Sequence, residues 1–265
     1  MRMKNEYIPF PSEVKEIIRH TDIEYTFRMS YSGNVLPGQF FEVSIPKYGE
    51  APISVSGIGE DTVDLTIRKV GKVTNQIFEN YVGNTLLMRG PYGNGFDIAN
   101  YKGKEVIIIA GGTGLSPVKG IVDYFSAHPS EAASTTLIAG FKSPEDILFR
   151  QDFEQWKQTL QVIQTVDNAP EGYEGPIGMV TKYIPDIPIA NIENTAFIAV
   201  GPPIMIKFTI MEILKRNVPE ENIWISHERK MCCGLGKCGH CKIDSTYICL
   251  DGPVFNYAQA KHLVD

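Results

Sequence analysis

The first 231 residues of this 265-residue chain contain no cysteine. A disulfide framework is therefore excluded for most of the molecule, and any thiol chemistry is confined to the C-terminal stretch. Positive charge is short as well. Lys and Arg number 25 against 31 Asp and Glu, a formal charge of −6. Phosphate-backbone binding needs a basic surface, so no nucleic acid partner is expected. Long hydrophobic runs are missing: "VIIIA" and "AFIAVGPPIMI" are too short or too broken to span a bilayer. The opening "MRMKNEYIPFPSE" lacks the apolar core of a signal peptide. These absences predict a cytoplasmic protein with no membrane partner. Thiols stay reduced there, so clustered cysteines read as metal-binding or catalytic. Internal repeats and low-complexity tracts are also absent.

What is present changes character near residue 100. Residues 13–98 hold "EYTFRMSY", "GQFFEVSI", "TVDLTIRKV" and "TLLMRGPY", short runs rich in β-branched and aromatic residues with Gly, Pro and Asn between them. That spacing predicts a small antiparallel barrel. Beyond it, "EVIIIA", "TTLIAGF", "LQVIQTV" and "TAFIAVG" are continuous apolar runs. They alternate with helical stretches such as "DILFRQDFEQWKQTL" and "PPIMIKFTIMEILKRN". Strands buried on both faces and alternating with helices imply a parallel sheet. The expected divisions are 1–99, 100–225 and 226–265.

All five cysteines lie within "MCCGLGKCGHCKIDSTYIC". From Cys233 the spacing is C-x4-C-x2-C-x7-C through Cys238, Cys241 and Cys249. The first three match the plant-type 2Fe–2S pattern, in which a tight loop gives three thiolates and a later segment the fourth. Gly234, Gly236 and Gly239 let the backbone curl around an inorganic core and aim amides at sulfur. "KIDSTYIC" alternates like a strand and would return Cys249 to the loop. A four-cysteine zinc site is the alternative, although zinc ribbons usually pair two C-x2-C knuckles. Cys232 is left over, read as a small packing side chain with alternate ligation a lesser alternative.

Two glycine turns offer phosphate sites. "EVIIIAGGTGLSPVKG" places Gly111, Gly112 and Gly114 between a buried strand and a helix, with Ser116 as N-cap and Pro117 at the first helical position. The turn is not G-x-G-x-x-G, so a tight connection without a ligand is an equal reading. Gly201 and Pro202 end another strand at the same sheet edge. In the barrel, Arg68 ends a strand, Gly71 turns the chain and Thr74 caps a helix. That suits a second pyrophosphate, or is simply a capped helix beside a surface arginine.

Together, "PGQF", "PIS", "GKVT", "RGPYG", "AGGTGLSP", "GPP" and the loop ending "CLDGPVF" resemble the ferredoxin–NADP reductase superfamily, from about Gly38 to Phe255. The fold so implied is ferredoxin reductase-like: an antiparallel β-barrel flavin domain, an α/β parallel-sheet nucleotide domain and a C-terminal 2Fe–2S loop module. The cysteine segment is similar to those of electron-transfer subunits serving anaerobic sulfite reductases. The electron-transfer subunit of dihydroorotate dehydrogenase is the rival, and a zinc-stabilised, non-catalytic interaction module a further alternative.

By that resemblance Pro52, Ile53 and Ser54 line FAD, and Arg68, Val73 and Thr74 approach its phosphates. Gly111, Gly112, Thr113 and Gly114 hold the pyrophosphate of NADH, with Gly201 and Pro202 near the nicotinamide. Read from the residues alone, Asp146 could serve a ribose hydroxyl and Lys142 a 2′-phosphate, or the two are equally a solvated surface pair. Ala51 stands where the family's flavin motif usually opens with arginine, and Val200 where it often has cysteine. The implied activity passes electrons from NADH through FAD to the cluster. The implied partners are a catalytic sirohaem-type sulfite reductase subunit and another iron–sulfur subunit, with sulfide as product.

Overall fold

The computed structural model describes residues 5–80 and 84–264, and the chain forms two compact units. The first consists of residues up to Gly95 together with Glu228–Pro253. The second consists of Phe96–His227 together with the residues from Val254 onward.

In the first unit, β1 (Phe10–Arg19), β2 (Glu24–Ser30), β3 (Phe40–Ile45), β4 (Gly49–Ile58) and β5 (Thr62–Arg68) are followed by helix α1 (Lys72–Asn80) and strand β6 (Thr85–Tyr92). The strands close a barrel in the order β1-β2-β5-β4-β3-β6, each adjacent pair antiparallel. Period-two alternation turns Phe27, Met29, Phe41, Val43 and Leu65 into a common core, which α1 completes with Ile77. Closure leaves no open sheet edge.

In the second unit, β7 (Glu105–Gly111), α2 (Leu115–Ala127), β8 (Ser134–Phe141), α3 (Arg150–Trp156) and β9 (Gln161–Val166) come first. Then follow β10 (Thr195–Val200), α4 (Pro203–Lys215) and β11 (Ile223–Ser226). Strands β7 to β11 are parallel. The apolar runs behave as expected: β10 is buried throughout and β7 up to its last residue. The sheet runs β14-β11-β10-β7-β8-β9, where β14 (Val254–Asn256) is an antiparallel edge strand. The chain builds outward from β7 to β9 and then returns to the other side of β7. The reversal between β7 and β10 opens a crevice at the carboxyl ends of these strands, the usual ligand position of such sheets.

Two local expectations are corrected. The helix expected over "DILFRQDFEQWKQTL" starts only at Arg150. Ile147, Leu148 and Phe149 are buried as loop residues, and Phe149 adopts φ +54°. "KIDSTYIC" is not one strand but a minimal hairpin of β12 (Lys242–Ile243) and β13 (Thr246–Tyr247), which turns at Asp244 (φ +49°). Cys249 then lies on the short helical turn α5 (Ile248–Asp251). Among the described residues no helix is long and apolar enough to cross a membrane.

Candidate functional site

The cysteine loop belongs to the same unit as the barrel. Gly234 (φ +71°) lies against the Tyr92 ring, where a Cβ would come within 2.6 Å of Cδ2, so only glycine fits. The curl directs amides at sulfur: Leu235 N and Lys237 N each donate to Cys233 Sγ at 3.4 Å, and Gly236 N donates to Cys249 Sγ at 3.2 Å. The thiols fall into two pairs, Cys238 with Cys233 and Cys249 with Cys241. Burial pushes the Cys249 thiol up to about 12. The backbone at His240 draws the exposed Cys238 down. Among the described residues, no three His, Cys, Asp or Glu side chains are arranged around a single metal ion. Clustered thiols that receive backbone amide donors fit an iron–sulfur centre, whose sulfurs are stabilised by such hydrogen bonds.

The barrel face beside this loop carries residues that sequence reasoning missed. Pro52 on β4, Glu42 on β3 and Arg89 on β6 form one cross-strand row, and Ser54, Phe40 and Tyr92 form the next. Ile53 points the opposite way, into the barrel core, leaving Pro52 and Ser54 half-exposed on this face. Arg89, whose side chain is only 3% exposed, has all five N–H donors engaged. Nε and Nη2 grip the Glu50 carboxylate, Nη2 also donates to the carbonyl of Cys232 (2.7 Å), and Nη1 donates to the Cys233 carbonyl and to the Tyr92 hydroxyl (3.2 Å). Glu42 is wholly buried, and among the described residues neither carboxyl oxygen has a hydrogen-bond partner. Burial raises its pKa to about 7, against the opposing pull of Arg89. A signal existed in the sequence: Glu42 and Arg89 are lone charges within otherwise apolar strands.

At the second barrel position, Arg68 stands opposite Glu24 in the β2–β5 register, with Nε 3.1 Å from Oε1. Thr74 does not cap α1 from outside. It is the helix's third residue, and its hydroxyl accepts back from Val70 N (3.1 Å) and Gly71 N (2.9 Å). Val73 packs in part against the barrel core. The first-turn amides of a helix have no intrahelical partner, and those of α1 follow Gly71 directly.

In the second unit the two glycine turns meet at the crevice. A Cβ on Gly114 would lie 2.7 Å from both Val200 O and Gly201 Cα, and one on Gly111 would lie 2.4 Å from Met205 Sδ. These glycines let the two strand ends touch. Gly112 (φ +54°) differs, because a Cβ there meets nothing within 4 Å, and Thr113 beside it is half-exposed. The cap expected at Ser116 is corrected. A 3₁₀ turn over Gly112–Gly114 runs directly into α2, so Gly114 is the N-cap, Ser116 is buried and Pro117 is third in the helix. Proline is harmless there because first-turn amides lack partners. Pro202 is the exposed N-cap of α4. Asp146 follows β8 and accepts from Ser143 Oγ at 2.8 Å, while Lys142 is exposed.

Comparison with known proteins finds two family matches. The family described as Oxidoreductase NAD-binding domain matches residues 108–210. The family described as Iron-sulfur cluster binding domain of dihydroorotate dehydrogenase B matches residues 228–261. Sulfhydrogenase 1 subunit gamma of Pyrococcus furiosus is 36% identical, over 83% of this chain and 79% of that protein. The probable dihydroorotate dehydrogenase B (NAD(+)), electron transfer subunit, of the same organism is 34% identical over 88% of this chain and 84% of its own length. Among solved structures, an NADH-dependent reduced ferredoxin-NADP oxidoreductase superposes with a TM-score of 0.77 at 23% identity, covering 92% of this chain and 87% of its own. That likeness establishes the ferredoxin reductase-like fold.

Proposed function

The chain belongs to the ferredoxin reductase-like electron-transfer subunits, the family of the sulfhydrogenase gamma and dihydroorotate dehydrogenase B electron-transfer subunits; from that membership we propose that it passes electrons from NADH through FAD to a 2Fe–2S cluster and on to a separate catalytic subunit. One observation carries the reading. The flavin segment at Pro52 and Ser54 and the arginine that grips the cysteine loop share one barrel face, on strands flanking β3.

When bound, the nicotinamide supplies a hydride, FAD divides the electron pair and the cluster carries single electrons. The chain's own residues bind and orient. Gly112 keeps the phosphate turn open, and Ser54 offers a hydroxyl beside Pro52 on the flavin face. The amides of Leu235, Gly236 and Lys237 offset thiolate charge at Cys233 and Cys249. The four paired cysteines leave only Cys232, too few for a second cluster. Chemistry on the terminal substrate is therefore assigned to a partner.

A sirohaem-type sulfite reductase subunit, with a further iron–sulfur subunit, is the partner suggested by the cysteine segment's resemblance. The relatives favour a sulfhydrogenase or dihydroorotate dehydrogenase partner equally. The deciding experiment purifies the tagged chain with whatever subunits accompany it. The expected result is flavin and iron–sulfur absorption that NADH bleaches. A colourless zinc protein would overturn the relay. Sulfide formation by the complex would select the first partner, and dihydroorotate oxidation or hydrogen turnover the others.

A further inference from the structure

The geometry around Arg89 points beyond the ligand set. We propose that Arg89 is the positioning residue that locks the cysteine loop to the flavin-bearing barrel sheet and thereby tunes the cluster. This rests on the 2Fe–2S reading above.

Three features support it. The guanidinium is buried and joins three separate stretches of chain: Glu50 on β4, Tyr92 on β6 and the carbonyls of Cys232 and Cys233 in the loop. All five donors are engaged, so the planar fork matters as well as the charge; a lysine ammonium, with three donors from one point, cannot reproduce it. The contact also gives Cys232 a role. Its carbonyl is the acceptor, so the residue matters through its backbone while its thiol stays outside both cysteine pairs. The anchor ends at the main chain of Cys233, a ligand, and the same β6 strand supplies the Tyr92 ring beneath Gly234. Hydrogen bonding and charge beside ligand residues are among the levers that set iron–sulfur potentials.

The test compares the holoprotein with Arg89→Lys and Glu50→Gln. Readouts are iron per chain, the electron paramagnetic resonance signal of the reduced cluster, its midpoint potential, and hydrogen exchange of the amides at 233–237. Arg89→Lys is expected to keep iron but alter the resonance signal and speed loop exchange at least tenfold, with barrel strands unchanged. Glu50→Gln removes one negative charge and keeps the arginine. It is expected to raise the potential by about 59 mV, a tenfold shift in a one-electron equilibrium. Wild-type spectrum, potential and loop exchange in both variants would overturn the proposal. If Arg89→Lys fails to fold, Glu50→Gln decides through loop exchange: losing the carboxylate that holds the guanidinium should speed exchange at 233–237, and wild-type exchange there would overturn the proposal. Absence of iron from the wild type would instead sink the cluster reading, and loop exchange in the metal-free chain would still decide whether Arg89 anchors the loop.

Discussion

Glu42 and Arg89 are cross-strand partners on β3 and β6, yet no hydrogen bond joins them. The arginine's donors are committed to Glu50, Tyr92 and two loop carbonyls. Glu42 is left as a fully buried carboxyl with charge nearby but no donor, a state that favours the proton. The groups acting on it are Arg89, which opposes protonation, and Glu50 and Cys233, which favour it.

The first prediction follows by linkage. Glu42 titrates near 7 when folded, against an ordinary value of 4.5. Between those values the folded state holds a proton that the unfolded chain has lost, so stability falls as pH rises through this window. Glu42→Gln removes the penalty. It should stabilise the holoprotein by up to about 3 kcal/mol at pH 8 and have little effect near pH 4.5. Urea unfolding midpoints at both pH values give the answer, and an equal shift at both would refute it.

The second prediction concerns the leftover thiol. Cys249 is buried, paired with Cys241 and hydrogen-bonded by Gly236 N. Cys232 contributes its carbonyl to Arg89. Cys249→Ser should therefore abolish most iron incorporation, whereas Cys232→Ser keeps the same carbonyl and should retain it. Iron analysis and the visible spectrum report this directly. Equal losses in the two variants would contradict the choice of Cys233 as first ligand.

The third prediction tests a buried charge in the second unit. Lys119 lies between Asp123 (2.8 Å) and Asp152 (2.9 Å), and Trp156 Nε1 also donates to Asp123. Lys119→Met would leave two carboxylates without their cation. Both carboxylates keep about a third of their side-chain surface in water (39% and 32%), which screens them, so the expected cost is about 1–2 kcal/mol at pH 7. It should shrink in acid, because burial already raises the Asp123 pKa and protonation removes the unpaired charge. A pH-independent loss would argue for a packing effect instead.

These sites differ in how readable they are from sequence. The parallel strands announce themselves because burial on both faces yields continuous apolar runs such as "VIIIA". The cysteine spacing is equally local. Arg89, Glu50 and Glu42 are harder: Arg89 meets its acceptors 39, 143 and 144 positions away in sequence, through a barrel register that no local pattern encodes. Caps fail for a different reason. Ser116 and Thr74 are good capping residues, but glycine turns start both helices early enough to place them inside the first turn.

Gly112 and Gly114 look interchangeable in "AGGTG", and the last prediction separates them. Gly114 is buried where the two strand ends touch, and a methyl group there would come within 2.7 Å of backbone atoms at Val200 and Gly201. Backbone cannot yield as a flexible side chain does. Gly114→Ala should therefore destabilise the second unit, by about 1–3 kcal/mol, through distortion of the β7–β10 junction. Gly112 faces open space, so the added methyl meets no protein atom. Its left-handed φ of +54° makes a branched side chain cost about 2–3 kcal/mol of backbone strain. On the proposed function the larger consequence is at the ligand, because the side chain would stand in the turn whose amides would face a pyrophosphate. Gly112→Val should raise the KM for NADH at least tenfold while shifting the thermal midpoint little beyond that strain. Flavin and iron contents should match wild type, since those segments belong to the other unit. Thermal melts, NADH titration and cofactor analysis on both variants separate the two roles. If Gly114→Ala spared stability and Gly112→Val spared KM, the crevice between β7 and β10 would not be where the nucleotide binds.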